Sequence, residues 1–87
     1  MFSYILRVRG TPDDRAEEFF RRFKATAGLL HAFDLQGDDD PEDGVVVAVW
    51  ESREAADRYL QGAPLRREVD EAYPTITRTM YRVLDSK

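Results

Sequence analysis

Residues 45–51, VVVAVWE, lead directly into residues 52–60, SREAADRYL, and the reading of this junction decides the fold. Small and β-branched apolar residues run up to Trp50 with no period of two, the pattern of a strand buried on both faces and so of a central strand. Ser52 is a helix N-cap residue type, so a charged helix opens with almost no connecting loop.

Upstream, residues 37–44 (GDDDPEDG) read as a turn-rich hairpin loop, bounded by glycines with a proline inside. It joins the central strand to residues 29–36 (LLHAFDLQ), a strand of moderate polarity with Leu29, His31, Phe33 and Leu35 on one side. Before that strand, Ala16, Phe19, Phe20, Phe23 and Ala27 recur at helical spacing. Thr11 supplies a capping hydroxyl for this helix, Pro12 its first position, and Asp13 and Asp14 lie at the positive end of its dipole. Gly28 suits the C′ position. The chain starts with a strand over residues 2–9, whose Phe2, Tyr4, Leu6 and Val8 oppose Ser3, Ile5, Arg7 and Arg9, and Gly10 ends it.

Downstream, the helix over residues 53–60 is interrupted at Gly62-Ala63-Pro64 and followed by a second helical piece over 65–72. Pro74 bars further helix, and residues 75–84 (TITRTMYRVL) form a last strand whose polarity marks an edge. The order β-α-β-β-α-β is the ferredoxin-like pattern of the α+β class: one domain, with a four-stranded antiparallel sheet and strands one and three in the middle. Both helices are read as right-handed crossovers joining parallel neighbours, which puts them on one face. Val45, Val47 and Val49 alternate with Val46, Ala48 and Trp50, so the uncovered face also carries apolar side chains. An open apolar face of that size predicts a homodimer through the sheet face.

Composition narrows the partners. With 87 residues the chain buries only about 60–65% of its extended surface. It contains no cysteine, so disulfides and thiolate metal sites cannot supply stability, and a second subunit is the expected source. Hydrophobic residues at 43% and charged ones at 34% exclude a disordered chain. A net charge of -4, with thirteen basic residues spread along the chain, argues against nucleic acid or an anionic membrane as partner. MFSYILRVRG carries Arg7 and Arg9 within a short apolar run, which fits neither a signal peptide nor a membrane span, so a cytoplasmic location is expected.

The strand ending in VWE, the helix opening with SREAADRYL, the GAP break and the final YPTITRTMYRV strand resemble the antibiotic-biosynthesis monooxygenase family of small dimeric α+β barrel proteins. TPDDRAEEFFRRF is similar to its first helix, AGLLHAF to its glycine-led second strand and GDDDPEDG to its hairpin, so the resemblance covers essentially the whole chain. It implies one of several activities: cofactor-independent oxygenation of polyphenolic or anthrone-like compounds, quinol-related chemistry, or haem cleavage. Haem-degrading members place a histidine ligand about nineteen positions after the strand tryptophan, where this chain has Val69. They also place tryptophan about nine positions after it, where Tyr59 stands, so haem degradation is disfavoured.

The cofactor-free chemistry that the resemblance implies removes a proton from an acidic C–H or O–H and lets the anion meet dioxygen directly. It needs an apolar slot, one base, and a donor or cation beside the developing oxyanion. His31 is the single histidine and Arg7 interrupts a central strand, so both are candidate catalytic residues. Their plainer readings are an exposed outer-strand residue and an ion pair across the dimer interface. Tyr4, Tyr59 and Tyr81 can each bring a phenol to a pocket, and Phe19, Phe20, Phe23 and Trp50 supply its apolar walls, although aromatic residues at these spacings also fit plain core. Arg78 and Arg82 read as an exposed or interface-rim face. The acidic loop lacks the spacing of a calcium-binding loop, and no phosphate loop, dinucleotide fingerprint, zinc spacing or nucleophile elbow occurs, so neither metal nor cofactor is expected. The leading expectation is a small homodimeric oxygenase for an aromatic, polyphenolic or quinol-like molecule. Its alternative is a non-enzymatic ligand-binding or accessory dimer whose pocket is filled by its own phenylalanines.

Overall fold

Register sets the architecture. The computed structural model describes residues 2–10 and 12–87, in the order β1 (Phe2–Arg9), α1 (Asp14–Lys24), β2 (Leu29–Gln36), β3 (Asp43–Trp50), α2 (Arg53–Gly62), α3 (Pro64–Ala72) and β4 (Thr77–Arg82). The strands form one antiparallel sheet in the order β2-β3-β1-β4, the expected ferredoxin-like arrangement with β1 and β3 central. One expectation needs correction: the parallel strands joined through each helical connection are not neighbours, because β3 lies between β1 and β2, and β1 lies between β3 and β4.

Residues directly opposite each other in a ladder share a face of the sheet. Phe2, Tyr4, Leu6 and Val8 therefore stand with Trp50, Ala48 and Val46 under the helices. Ser3, Ile5 and Arg7 stand with Val49, Val47 and Val45 on the other side. A bulge between Leu29 and His31 splits β2: Leu29 faces the helices opposite Trp50, whereas His31, Phe33 and Leu35 oppose Val49, Val47 and Val45 on the open side. The expected single row of Leu29, His31, Phe33 and Leu35 is thus broken at its first member.

The elements start where their chemistry allows. Asp13 caps α1: its Oδ1 accepts a 2.8 Å hydrogen bond from the Ala16 N–H, and Pro12, expected at the first helical position, precedes the helix. Thr11 lies outside the described residues. Ser52 caps α2 as expected, its hydroxyl oxygen accepting from the Ala55 N–H at 3.1 Å. Pro64 opens α3, where its missing N–H costs nothing, so the break between the helices narrows to Ala63. Gly28 is not a helix cap, since α1 closes at Ala25. It has φ +84°, and a Cβ there would stand 2.5 Å from that of Ala55, so both backbone conformation and close approach demand glycine.

The core is an aromatic stack between sheet and helices. Trp50, fully buried, sits with ring centroids 6.0 Å from Tyr4, 5.9 Å from Phe23 and 5.6 Å from Tyr59. Such pairs add about 0.5–1.5 kcal/mol each beyond their buried area. The Trp50 indole N–H has no partner among the described residues, a cost of about 1–3 kcal/mol that the stack offsets. The open side differs. Phe33 is 53% exposed and Leu35 49%, and on β3 only Ala48 and Trp50, both on the helix side, are buried while Val45, Val47 and Val49 are half-buried, so the expectation of burial on both faces is not met by one chain.

Candidate functional site

Between the sheet, α1 and α3 lies a cavity of about 300 Å³. That is the lower end of the range for small-molecule sites. Tyr4, Leu6 and Val46 form its floor, Phe19, Phe20 and Phe23 of α1 one wall, and Val69, Tyr73 and Ile76 the other. Asp34 and Gln36 of β2 stand at its rim. Outside it, Arg22 of α1 and Glu68 of α3 clasp the two helices through bonds of 3.1 and 2.6 Å. Exposed as it is, the clasp contributes little stability, but it fixes the spacing of the walls.

The polar groups divide into two sets. Tyr4 and Tyr59 both line the cavity and are almost completely buried. Burial raises the pKa of each phenol above its ordinary value, and the cation of Arg78 beside them offsets only part of this. Both therefore remain O–H donors at neutral pH. Arg78 reaches this position from β4, where it opposes Leu6 on the helix side. Its Nη1 donates to Asp70 Oδ1 at 2.7 Å, and Arg66 Nε stands 2.9 Å from Asp70 Oδ2. Nε and Nη2 of Arg78 are buried without a hydrogen bond to any described residue. The second set stands at the rim: Gln36 and Asp34, the carboxyl pKa of Asp34 raised by partial burial.

The candidate residues read from the sequence fall on both sides of the sheet. Tyr4, Phe19, Phe23 and Tyr59 come together around the cavity. Trp50 packs behind Tyr4 and Tyr59 without lining it. Arg7, His31 and Tyr81 stand on the open face, away from the cavity. Arg7 lies 3.6 Å from Asp43 of its own chain, and its exposure makes this a weak pair. Arg78, expected on an exposed or rim face, is instead largely shielded, with 11% of its side chain accessible, while Arg82 is exposed. Sequence reasoning missed Arg78, Asp70, Arg66 and Asp34 as a set. The signal for the first pair was an acid eight residues before a strand arginine, across the turn at Pro74.

Val69, expected from the resemblance to stand in place of a haem ligand, presents an aliphatic side chain to the cavity. In the acidic loop, Arg9 takes up Asp40 at 2.7 Å and approaches Glu42 at 3.8 Å. Among the described residues no group of three or more His, Asp or Glu side chains is arranged to hold a metal ion, and no helix is long and apolar enough to cross a membrane.

Comparison with known proteins fits this geometry. No curated protein matches the chain in sequence. Among solved structures, Rv0793 from Mycobacterium tuberculosis superposes with a TM-score of 0.80 at 19% identity, covering 98% of this chain and 96% of that one. SnoaB, a cofactor-independent oxygenase from Streptomyces nogalater, gives 0.76 at 18% identity, covering 98% and 94%. PA3566 from Pseudomonas aeruginosa gives 0.71 at 17% identity, covering 97% and 94%. At these identities the likeness establishes the fold. The family described as antibiotic biosynthesis monooxygenase matches residues 1–71, and the chain belongs to it.

Proposed function

We propose that this protein is a cofactor-independent monooxygenase acting on a small aromatic, polyphenolic or quinol-like substrate bound between the helices and the sheet. The observation that carries the reading is the pair of buried phenols, Tyr4 and Tyr59, set among the apolar walls of the cavity with the Arg78 guanidinium beside them. Family membership and a fold shared with SnoaB, itself a cofactor-independent oxygenase, support it.

The chemistry follows from the groups present. A substrate methylene between aromatic rings loses a proton, and the charge spreads onto a conjugated ring oxygen. The tyrosine O–H groups donate to that oxygen, and Arg78 adds a fixed positive charge in a site of low dielectric. The carbanion adds to dioxygen, and loss of the second C–H breaks the O–O bond, leaving a ketone and water. Both electron pairs come from the substrate carbon, so no outside reductant enters. Arg7 and His31, on the far side of the sheet, have no part in this reading.

The open face completes the proposal. Phe33, Leu35, Val45 and Val47 form an apolar surface that a second copy of the chain would cover, closing two sheets into a barrel and supplying burial that this small domain lacks. The rival reading, a binding or accessory dimer without chemistry, requires a pocket filled by the protein's own phenylalanines. An open cavity with two phenols weighs toward the enzyme.

The test is oxygen uptake by the purified protein with anthrones, dihydroxynaphthalenes and quinols, against a heat-denatured control. Uptake above control, lowered about 10²–10³-fold in Tyr59→Phe as for the loss of one oxyanion donor, is the expected result. Tight binding of these compounds without uptake would move the reading to a binding protein.

A further inference from the structure

One row of residues crosses the helix side of the sheet from edge to edge. Asp34 on β2 opposes Val46 on β3, Val46 opposes Leu6 on β1, and Leu6 opposes Arg78 on β4. Strands lie about 4.8 Å apart, so the Cα atoms at the two ends are separated by about 14 Å. A carboxylate stands at one end, a guanidinium at the other, and two aliphatic side chains lie between them. Asp34, Val46 and Leu6 line the cavity directly, and Arg78 acts on it through Tyr4 and Tyr59.

We propose that Asp34 is the proton acceptor of this cavity. The inference rests on the function proposed above, which requires a base and leaves it unassigned. The titratable groups lining the cavity are Tyr4, Arg9, Asp34, Tyr59 and Tyr73. Burial keeps the three phenols protonated, and the Arg9 guanidinium only donates and is taken up by Asp40 and Glu42. Asp34 is the lining group that accepts a proton at neutral pH, and it pairs with no arginine or lysine among the described residues. The other acids near the walls are engaged: Glu68 by Arg22, Asp70 by Arg66 and Arg78, and Asp13, beside Tyr73, by the Ala16 N–H that it caps.

The row also gives the reaction a direction. The substrate C–H or O–H bond breaks, its electron pair stays on the substrate, and the proton forms a bond to an Asp34 carboxylate oxygen, leaving a neutral carboxylic acid. The negative charge moves away from Asp34 toward the Arg78 end. The exposed rim lets the proton pass to solvent. The molecule that suits this row is flat and conjugated, with its acidic hydrogen at the β2 edge and its carbonyl or hydroxyl oxygen toward β4. Partial burial makes Asp34 a stronger base than an ordinary aspartate.

Proton removal can be read apart from oxygenation. Anthrone in D₂O without oxygen exchanges its methylene hydrogens for deuterium at a rate that proton NMR follows. The wild-type protein should speed this exchange above buffer, with a rate that rises through the carboxyl's titration and then levels. Asp34→Asn should exchange at least tenfold more slowly and lose that step. Its affinity for anthraquinone, read from Trp50 fluorescence quenching, should change less than threefold. Wild-type exchange no faster than buffer, or Asp34→Asn exchanging at the wild-type rate, would overturn the proposal. Oxygen uptake by both proteins separates the two claims. Exchange that depends on Asp34 without any uptake supports the base and sinks the oxygenase. Uptake that is equal in both variants sinks the base alone.

Discussion

Replacing Asp70 with asparagine is expected to cost the fold more than replacing Arg78, the residue it serves. The carboxylate receives Arg78 at 2.7 Å and stands 2.9 Å from Arg66, and among the described residues it is the one anion that holds the Arg78 guanidinium. The amide in Asp70→Asn keeps the shape and removes the charge, leaving Arg78 buried and uncompensated. Breaking a fully buried pair in this way costs about 3–5 kcal/mol. Asp70 is 31% accessible and water screens part of the loss, so about 2 kcal/mol is expected here. Arg78→Met removes the charge along with its need for a partner, keeps the aliphatic stem, and leaves Asp70 with Arg66, for a loss of about 1 kcal/mol. The double variant should match Arg78→Met. A chain of this length has a total stability on the order of 4–13 kcal/mol, and 2 kcal/mol corresponds to about 8–16 °C in Tm. Urea unfolding followed by the fluorescence of the single tryptophan, at one protein concentration, measures all four proteins. If Asp70→Asn is no less stable than Arg78→Met, Arg78 is hydrated in solution, and its role as a desolvated cation beside the phenols falls with it.

Gly28→Ala should destabilise by about 2 kcal/mol or more, because alanine at φ +84° is strained and its Cβ would stand 2.5 Å from that of Ala55; thermal melts check this, and an unchanged Tm would show that the loop is free to move. Asp34 sets a pH dependence. Its raised carboxyl pKa makes the folded chain hold the proton more tightly than the unfolded chain. The resulting stability is present below the ordinary aspartate value of 3.8 and is lost as pH rises through the folded value. The permanently neutral Asp34→Asn should therefore melt above the wild type at about pH 7 and lose that advantage near pH 3, and the reverse order would refute the desolvation argument. Val47→Lys, which puts a charge between Ile5 and Phe33 on the open face, should convert a particle of twice 10.1 kDa into one of 10.1 kDa by light scattering; equal masses would place the contact elsewhere.

The bulge between Leu29 and His31 explains why the sheet was legible and the site was not. Alternation in FSYILRVR and the dense run VVVAVWE identify the central strands, and Ser52 and Pro64 mark helix starts, because each of these signals is local. In LLHAFDLQ, counting by twos from Leu29, which faces the helices, would bring His31 to the cavity and turn Asp34 out. One inserted residue inverts everything beyond it, and no glycine or proline in the strand announces the insertion. Arg78 was hidden differently. A strand arginine reads as exposed until its partner is known, and Asp70 lies across the turn on a helix whose packing is a tertiary fact. The inversion in β2 has two effects at once. By register it turns Asp34 and Gln36 to the helix side, and it turns Phe33 and Leu35, each about half exposed, to the open face. Polar side chains pointing inward and apolar ones outward would be a poor pattern for an isolated edge strand. The same pattern is favourable where the inner side holds a polar ligand group and the outer side meets a second subunit, so one bulge links the proposed base to the proposed dimer.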